Sequence, residues 1–275
     1  MRNFRRSAVA IFLFILAILT WAHASELQPK TKAAFDKYIQ LTEARMKAES
    51  GPGKPFLTID AMPEGQKNAV LARLRNGEVV ITRERTLENG KEIDVPDGMI
   101  HHWLGIVLIP GTTLKKTLAL QQDYDHHAEY YSPRVVRSRL ISRNGNDFKI
   151  YYRVKDKKVV TVVMDTDYDV HYESVSPTRE RSTVYSTRIQ EIENPGEKTE
   201  HAKPVDDGNG FMWRLNSYWR EEERDGGVYI QCEAISLSRD IPTGLGWLIK
   251  GFVESVPRES LQFTLGKTRE ALVKK

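Results

Sequence analysis

Hydrophobic positions in this chain follow two periods, and the change from one to the other orders it. From Pro29 to Glu49, Ala33, Ala34, Tyr38, Leu41 and Met46 fall on one side of a predicted helix. A breaker run, Ser50 to Pro55, follows, and a second short helix is predicted over Glu64–Leu74, ended by Asn76-Gly77. Period two then takes over. Glu78–Thr86 and Ile100–Pro110 read as strands. A helix after Thr112 or Thr113 runs to about Gln122, with a further turn or two before Pro133. Beyond it, Val135–Arg143 and Phe148–Lys155 form a hairpin about Asn144-Gly145. Val159–Glu173 alternates: Val162, Met164, Thr166, Tyr168, Val170 and Tyr172 point inward, while Asp165, Asp167, Asp169 and His171 point outward.

Ser182–Glu193 is a further strand. Phe211, Trp213, Leu215, Ser217 and Trp219 share a face of the next one, and Asp225-Gly226-Gly227 turns it. Val228, Ile230, Cys232, Ala234 and Ser236 share a face of the last, whose small residues leave space. Helices close the chain, with Pro257 separating a short one (Leu245–Glu254) from a longer one. In the latter, Leu261, Leu265, Thr268 and Leu272 make an apolar stripe suited to a sheet.

Residues 1–24 stand apart. A basic start with Arg2, Arg5 and Arg6 precedes the nearly all-apolar Ser7–Trp21, and Ala22-His23-Ala24 has the form of a signal-peptidase site. The apolar run of about 15 residues is short for a membrane span, which needs about 20. Export with cleavage before Ser25 is therefore expected, to a periplasmic or extracellular location; retention as an N-terminal anchor is the alternative. The division is then a signal peptide (1–24), a helical extension (25–76) and a sheet domain (77–275).

Charge changes the picture only by subtraction. The formal net charge is +4, but setting aside the three leader arginines leaves 38 basic against 37 acidic side chains. Such a balance gives no reason to hold a nucleic-acid backbone. The one cysteine, Cys232, rules out an internal disulfide.

Candidate chemistry is sparse. Asp165, Asp167 and Asp169 lack the Gly and Glu of a calcium loop and would stand about 6.5 Å apart on a strand. Pairing with Arg179, Arg181 or Arg188 explains them better. The pairs His101-His102 and His126-His127 offer no spacing that demands a metal. No nucleophile elbow is present, and Cys232 reads as a small buried group. Arg220, Glu221, Glu222, Glu223 and Arg224 read as a solvated charge run. No catalytic residue, metal or cofactor is assigned.

The order of elements, with Pro110-Gly-Thr-Thr-Leu114, Asp123-Tyr-Asp-His-His-Ala-Glu-Tyr-Tyr131-Ser-Pro133-Arg-Val-Val-Arg-Ser138 and Ser255-Val-Pro-Arg-Glu-Ser-Leu-Gln-Phe263, resembles the START-like superfamily, also called SRPBCC. That superfamily includes polyketide cyclase/dehydrase-type and coenzyme Q-binding proteins. The resemblance covers about residues 78–275. It implies an α+β helix-grip fold: a curved antiparallel sheet of about seven strands wrapped on a long C-terminal helix, here with an N-terminal helical extension. It also implies an apolar cavity that takes a lipid, quinone or similar small molecule, with peripheral membrane contact compatible with such a ligand. Tyr152, Met164, Trp213, Trp219, Cys232, Trp247 and Phe263 are the candidate lining. Two alternatives stand beside this reading. One is a cyclase- or hydratase-type enzyme in the same cavity, with His102, Tyr168 or Arg188 as candidates. The other is a filled core serving a structural or partner-binding role. Oligomeric state is not legible.

Overall fold

A computed structural model describes residues 26–51, 53–157, 161–240 and 246–273, the last with side chains from residue 255 onward. The reading of residues 1–24 lies outside these. The chain runs α1 (Pro29–Glu49), a 3-10 turn (Thr58–Ala61), α2 (Glu64–Arg75), β1 (Val80–Arg83), β2 (Leu87–Glu88), β3 (Lys91–Glu92) and β4 (Gly98–Pro110). It continues through α3 (Leu114–Gln121), a 3-10 turn (Tyr124–His126) and α4 (His127–Tyr130). Then come β5 (Val135–Asn144), β6 (Asp147–Lys157), β7 (Thr161–Ser176), β8 (Arg179–Glu193), β9 (His201–Ala202), β10 (Arg214–Arg224), β11 (Gly227–Arg239) and α5 (Gly246–Val273). One nine-stranded antiparallel sheet has the order β1-β4-β11-β10-β8-β7-β6-β5, with β9 beside β8. A sheet of this kind with a long C-terminal helix against one face is the helix-grip arrangement.

The turns form for reasons visible in the residues. Thr113 caps α3 by accepting from Lys116 N. Asp225 and Gly226 both have positive φ, as the tight β10–β11 hairpin requires.

Both sheet faces are covered in the middle. On one, Leu261, Leu265 and Leu272 of α5 pack on Val107, Ile109, Val228, Ile230 and Cys232. Gly105 makes that contact possible: a Cβ there would lie 2.6 Å from Leu265 Cδ1. On the other, the outer face, α1 packs Phe35, Tyr38, Ile39 and Met46 against Trp213, Tyr218, Ile235 and Leu237. The turn and α2 cover Ile106, Leu108 and Tyr229. The buried side of α1 is Thr31, Phe35, Tyr38, Ile39, Thr42 and Met46; Tyr38 and Met46 lie where the stripe put them, while Phe35 and Ile39 rather than Ala33 and Leu41 complete it. Its burial is partly polar. Glu43 accepts the hydroxyls of Tyr185 (2.8 Å) and Tyr218 (2.7 Å). His102 bridges Tyr38 (2.8 Å) and Glu233 (2.7 Å), and Arg45 also reaches Glu233. Thr31 and Thr42 also face the sheet beside the apolar side chains, each with a hydrogen-bond partner.

Pro257 lies inside α5, which continues through it as one helix. Proline removes one hydrogen-bond donor, but the downstream stripe is held by the sheet, and burial of three leucines outweighs that loss.

Candidate functional site on the helix face

The helix face of the sheet is laid out in cross-strand rows. One runs Gly105–Cys232–Trp219–Ser182–Tyr172. The next runs Trp103–Ala234–Ser217–Val184–Val170–Phe148. Leu215 and Ser236 pair in the row after it. The α5 stripe covers the first row around Gly105 and Cys232. The second row is less buried, although Trp103 and Ala234 still pack against the same α5 cluster. Trp103, Ala234, Ser217, Val184 and the flanking Leu215 and Trp219 are only half-buried. On the other face of the same strands Leu104, Ile235 and Tyr218 are buried. Alanine and serine in the middle, between tryptophans and aliphatic side chains, make an apolar row with an aromatic rim. Trp219 is fixed beside it by donation from Nε1 to Ser217 Oγ at 3.0 Å.

Few polar groups enter this side, and each is positioned. Glu221 follows Trp219 by two residues on β10 and is fully buried. Its Oε1 accepts from Gln121 Nε2 at 3.0 Å, while Glu221 Oε2 and Gln121 Oε1 have no protein partner. Burial, with Glu180 directly opposite on β8, pushes the Glu221 carboxyl up to about 8. The group is therefore neutral at pH 7. Tyr124 and Tyr172 share a hydrogen bond of 2.8 Å nearby. At the other side, His127 Nε2 faces Leu120 O (3.1 Å) and Nδ1 faces the Tyr152 hydroxyl (2.6 Å). A carbonyl can only accept, so Nε2 carries the proton and Tyr152 donates to Nδ1. Burial holds His127 neutral, down to about 4. His101, on the same face as Trp103, is likewise lowered to about 4 by burial and bonds Ser238 Oγ at 2.9 Å.

The candidate lining residues separate on this map. Trp219 flanks the second row and packs against the α5 cluster, Tyr152 lies on the helix face bonded to His127, and Met164 is half-buried on the side of β7 that carries Tyr168. Cys232 is under α5 and fully buried, with its thiol pushed well up by burial. Phe263 lies beside the α5 stripe, with the Arg134 guanidinium 5.0 Å from its ring centre. The side chain of Trp247 lies outside the described residues. Trp213 is a correction: it sits in the outer-face cluster with α1. It precedes β10 rather than lying on it, so strand alternation does not apply there.

His102 is also on the outer face, bonded under α1, and Arg188 pairs with Asp167. Tyr168 is buried among Phe148, Ile150 and Val170. Glu221 and Glu222 are buried, so the charge run is not a solvated one. Parity carried the signal for Glu221, since the face that holds Trp219 holds the residue two further on. The three aspartates are engaged by Arg153, Arg188 and Lys149, of which only Arg188 was among the expected partners.

Two clefts open away from the second row, one beside α3 and one on the outer face. One of about 480 Å³ lies between α3 and the β7–β8 hairpin, with Leu114, Leu118, Gln122, Pro177, Glu180 and Glu223 among its lining residues. It brings solvent to the Glu180 side of Glu221. The other, about 360 Å³, is lined mainly by Asp147, Lys149, Asp169, His171 and Tyr185.

No protein-family profile matches the chain, and no curated protein matches it. Solved structures do. The chain is similar to the Zhui aromatase/cyclase from a Streptomyces species at 9% identity, over 63% of this chain and 94% of that one, with a TM-score of 0.43. It is similar to human STARD10 at 11% identity, over 78% and 81%, with a TM-score of 0.42. It is similar to a STAR-related lipid transfer protein from Xanthomonas axonopodis at 16% identity, over 70% and 98%, with a TM-score of 0.41. Likeness at this level carries nothing about ligand or activity.

Proposed function

We propose that a hollow over the row Trp103–Ala234–Ser217–Val184 on the helix face binds an amphipathic small molecule, a lipid, quinone or compound of similar build. One observation carries the reading: the row Trp103–Ala234–Ser217–Val184 is half-buried while the opposite face of β4, β11 and β10 is sealed. Mostly apolar sites with an aromatic rim and a few placed polar groups suit such ligands. Gln121–Glu221 and His127–Tyr152 are the polar groups that would fix its orientation. Export of the chain after cleavage before Ser25 is part of the proposal, checked by sequencing the N-terminus of the protein recovered outside the cytoplasm. The test of binding is organic extraction of protein purified without detergent. A stoichiometric small molecule in the extract is the expected result. An empty extract, with no uptake from phospholipid, quinone or sterol dispersions, overturns the reading.

A second reading, a cyclase- or hydratase-type enzyme using the same space, is favoured by Glu221, a buried carboxyl that holds a proton at neutral pH and faces Glu180. Such a group can act as a general acid. Conversion of the extracted molecule by wild type but not by Glu221→Gln would favour it over simple binding.

A further inference from the structure

The edge strand β5 pairs with β6 alone, and its other side lies against the 3-10 turn and α4, with Leu140 N donating to Asp125. Its register with β6 slips twice. Val135 faces Val154 and Arg137 faces Arg153, so Val136 is extra; Leu140 faces Ile150 and Ser142 faces Lys149, so Ile141 is extra. These two bulge residues are 45% and 47% exposed, among the largest exposures of any apolar side chain described. A bulge re-aims a side chain out of the pleat. Here each slip turns one aliphatic residue outward. Arg137 and Arg139 flank them on the outer-face side and Arg143, past the second slip, on the helix-face side, so exposed guanidinium groups reach past the edge from both faces.

None of the three arginines is in an ion pair among the described residues. Arg139 lies over the Tyr151 ring and Arg143 over the Phe148 ring, at 5.2 and 4.5 Å, and Arg143 also donates to Gly145 O. The neighbouring carboxylates are taken. Asp147 is held by His171, Asp165 by Arg153, Asp167 by Arg188 and Asp169 by Lys149. Asp125 accepts from Leu140 N.

We propose that this edge docks on an anionic lipid surface, with Val136 and Ile141 entering the interface and the three guanidinium groups meeting lipid phosphates. The pattern disfavours a partner strand, because two bulges interrupt the row of free backbone groups that strand addition needs. A lipid surface requires no register. Arginine pairs with phosphate in a fork, and small apolar groups partition below it.

Vesicle co-sedimentation of the full chain tests this. Phosphatidylcholine–phosphatidylglycerol vesicles are compared with phosphatidylcholine alone, at low and high salt. Wild type is expected to prefer the anionic vesicles and to lose the preference in salt. The triple variant Arg137→Ser/Arg139→Ser/Arg143→Ser should bind about 100-fold more weakly, at roughly five-fold per arginine. Val136→Ser/Ile141→Ser should lose about ten-fold or more. All these side chains are exposed, so the variants should melt like wild type. No anionic preference in wild type, or variants that bind as wild type does, overturns the proposal. So does a wild-type dimer in sedimentation velocity that Val136→Ser/Ile141→Ser dissociates, since the edge would then be a contact between copies.

Discussion

Glu221 shows how a single buried residue sets a measurable property. Its carboxyl is raised by burial from the ordinary value of 4.5 to about 8. A raised folded-state value means that stability is greatest below pH 4.5 and falls as pH rises towards 8, by about 1.4 kcal/mol for each pH unit at most. Glu221→Gln should remove that loss, so the variant melts higher than wild type at pH 8.5 and much closer to it at pH 4.5. Melting curves at the two pH values check this. Gly105 makes the opposite case, a residue whose role is to have no side chain. Gly105→Val would drive a branched group into Leu265 and Leu261 and should cost about 1–3 kcal/mol of stability, read by denaturant unfolding. Neither role was plain in the sequence. Parity placed Glu221 beside Trp219, but four neighbouring charges suggested solvent. Gly105 stood in an apolar strand with no sign of what crossed it.

At the scale of elements, most of the chain was legible, because strands and amphipathic helices announce themselves by period. The hairpins at Asn144-Gly145 and Asp225-Gly226 and the stripe of α5 lie where periodicity and turn chemistry put them. The face of α1 does so only in Tyr38 and Met46, because threonines share its buried side with Phe35 and Ile39 and blur the apolar stripe. The run His101–Ile109 held the missing hint. A strand apolar at consecutive positions is covered on both faces, and the second cover is the extension. Glu43→Ala should leave the Tyr185 and Tyr218 hydroxyls without their acceptor and cost about 1–3 kcal/mol for each one left unsatisfied. Thermal unfolding measures the loss, and protection of α1 amides in hydrogen exchange should fall before that of β11.

For the whole molecule, three buried groups shape the response to pH. His101 and His127 are depressed from 6.5 to about 4, so the stability they confer is present above 6.5 and is lost as pH falls towards 4. Glu221 weakens the fold in the other direction. Two histidines outweigh one carboxyl in the overlap, and the contribution of the three together peaks near pH 6.5. A series of melts from pH 4 to 9 should show that maximum, and His127→Phe should flatten its acid side.

The helix-face hollow is the central claim, and the direct measurement is native mass spectrometry of wild type beside Ala234→Leu and Val184→Phe, all purified without detergent. These substitutions add bulk to the proposed hollow from two strands on the face away from α1. Wild type should carry an added mass that both variants lack while melting within a few degrees of it. The same added mass on all three proteins, or none on wild type even after incubation with phospholipids, quinones and sterols, would contradict the account.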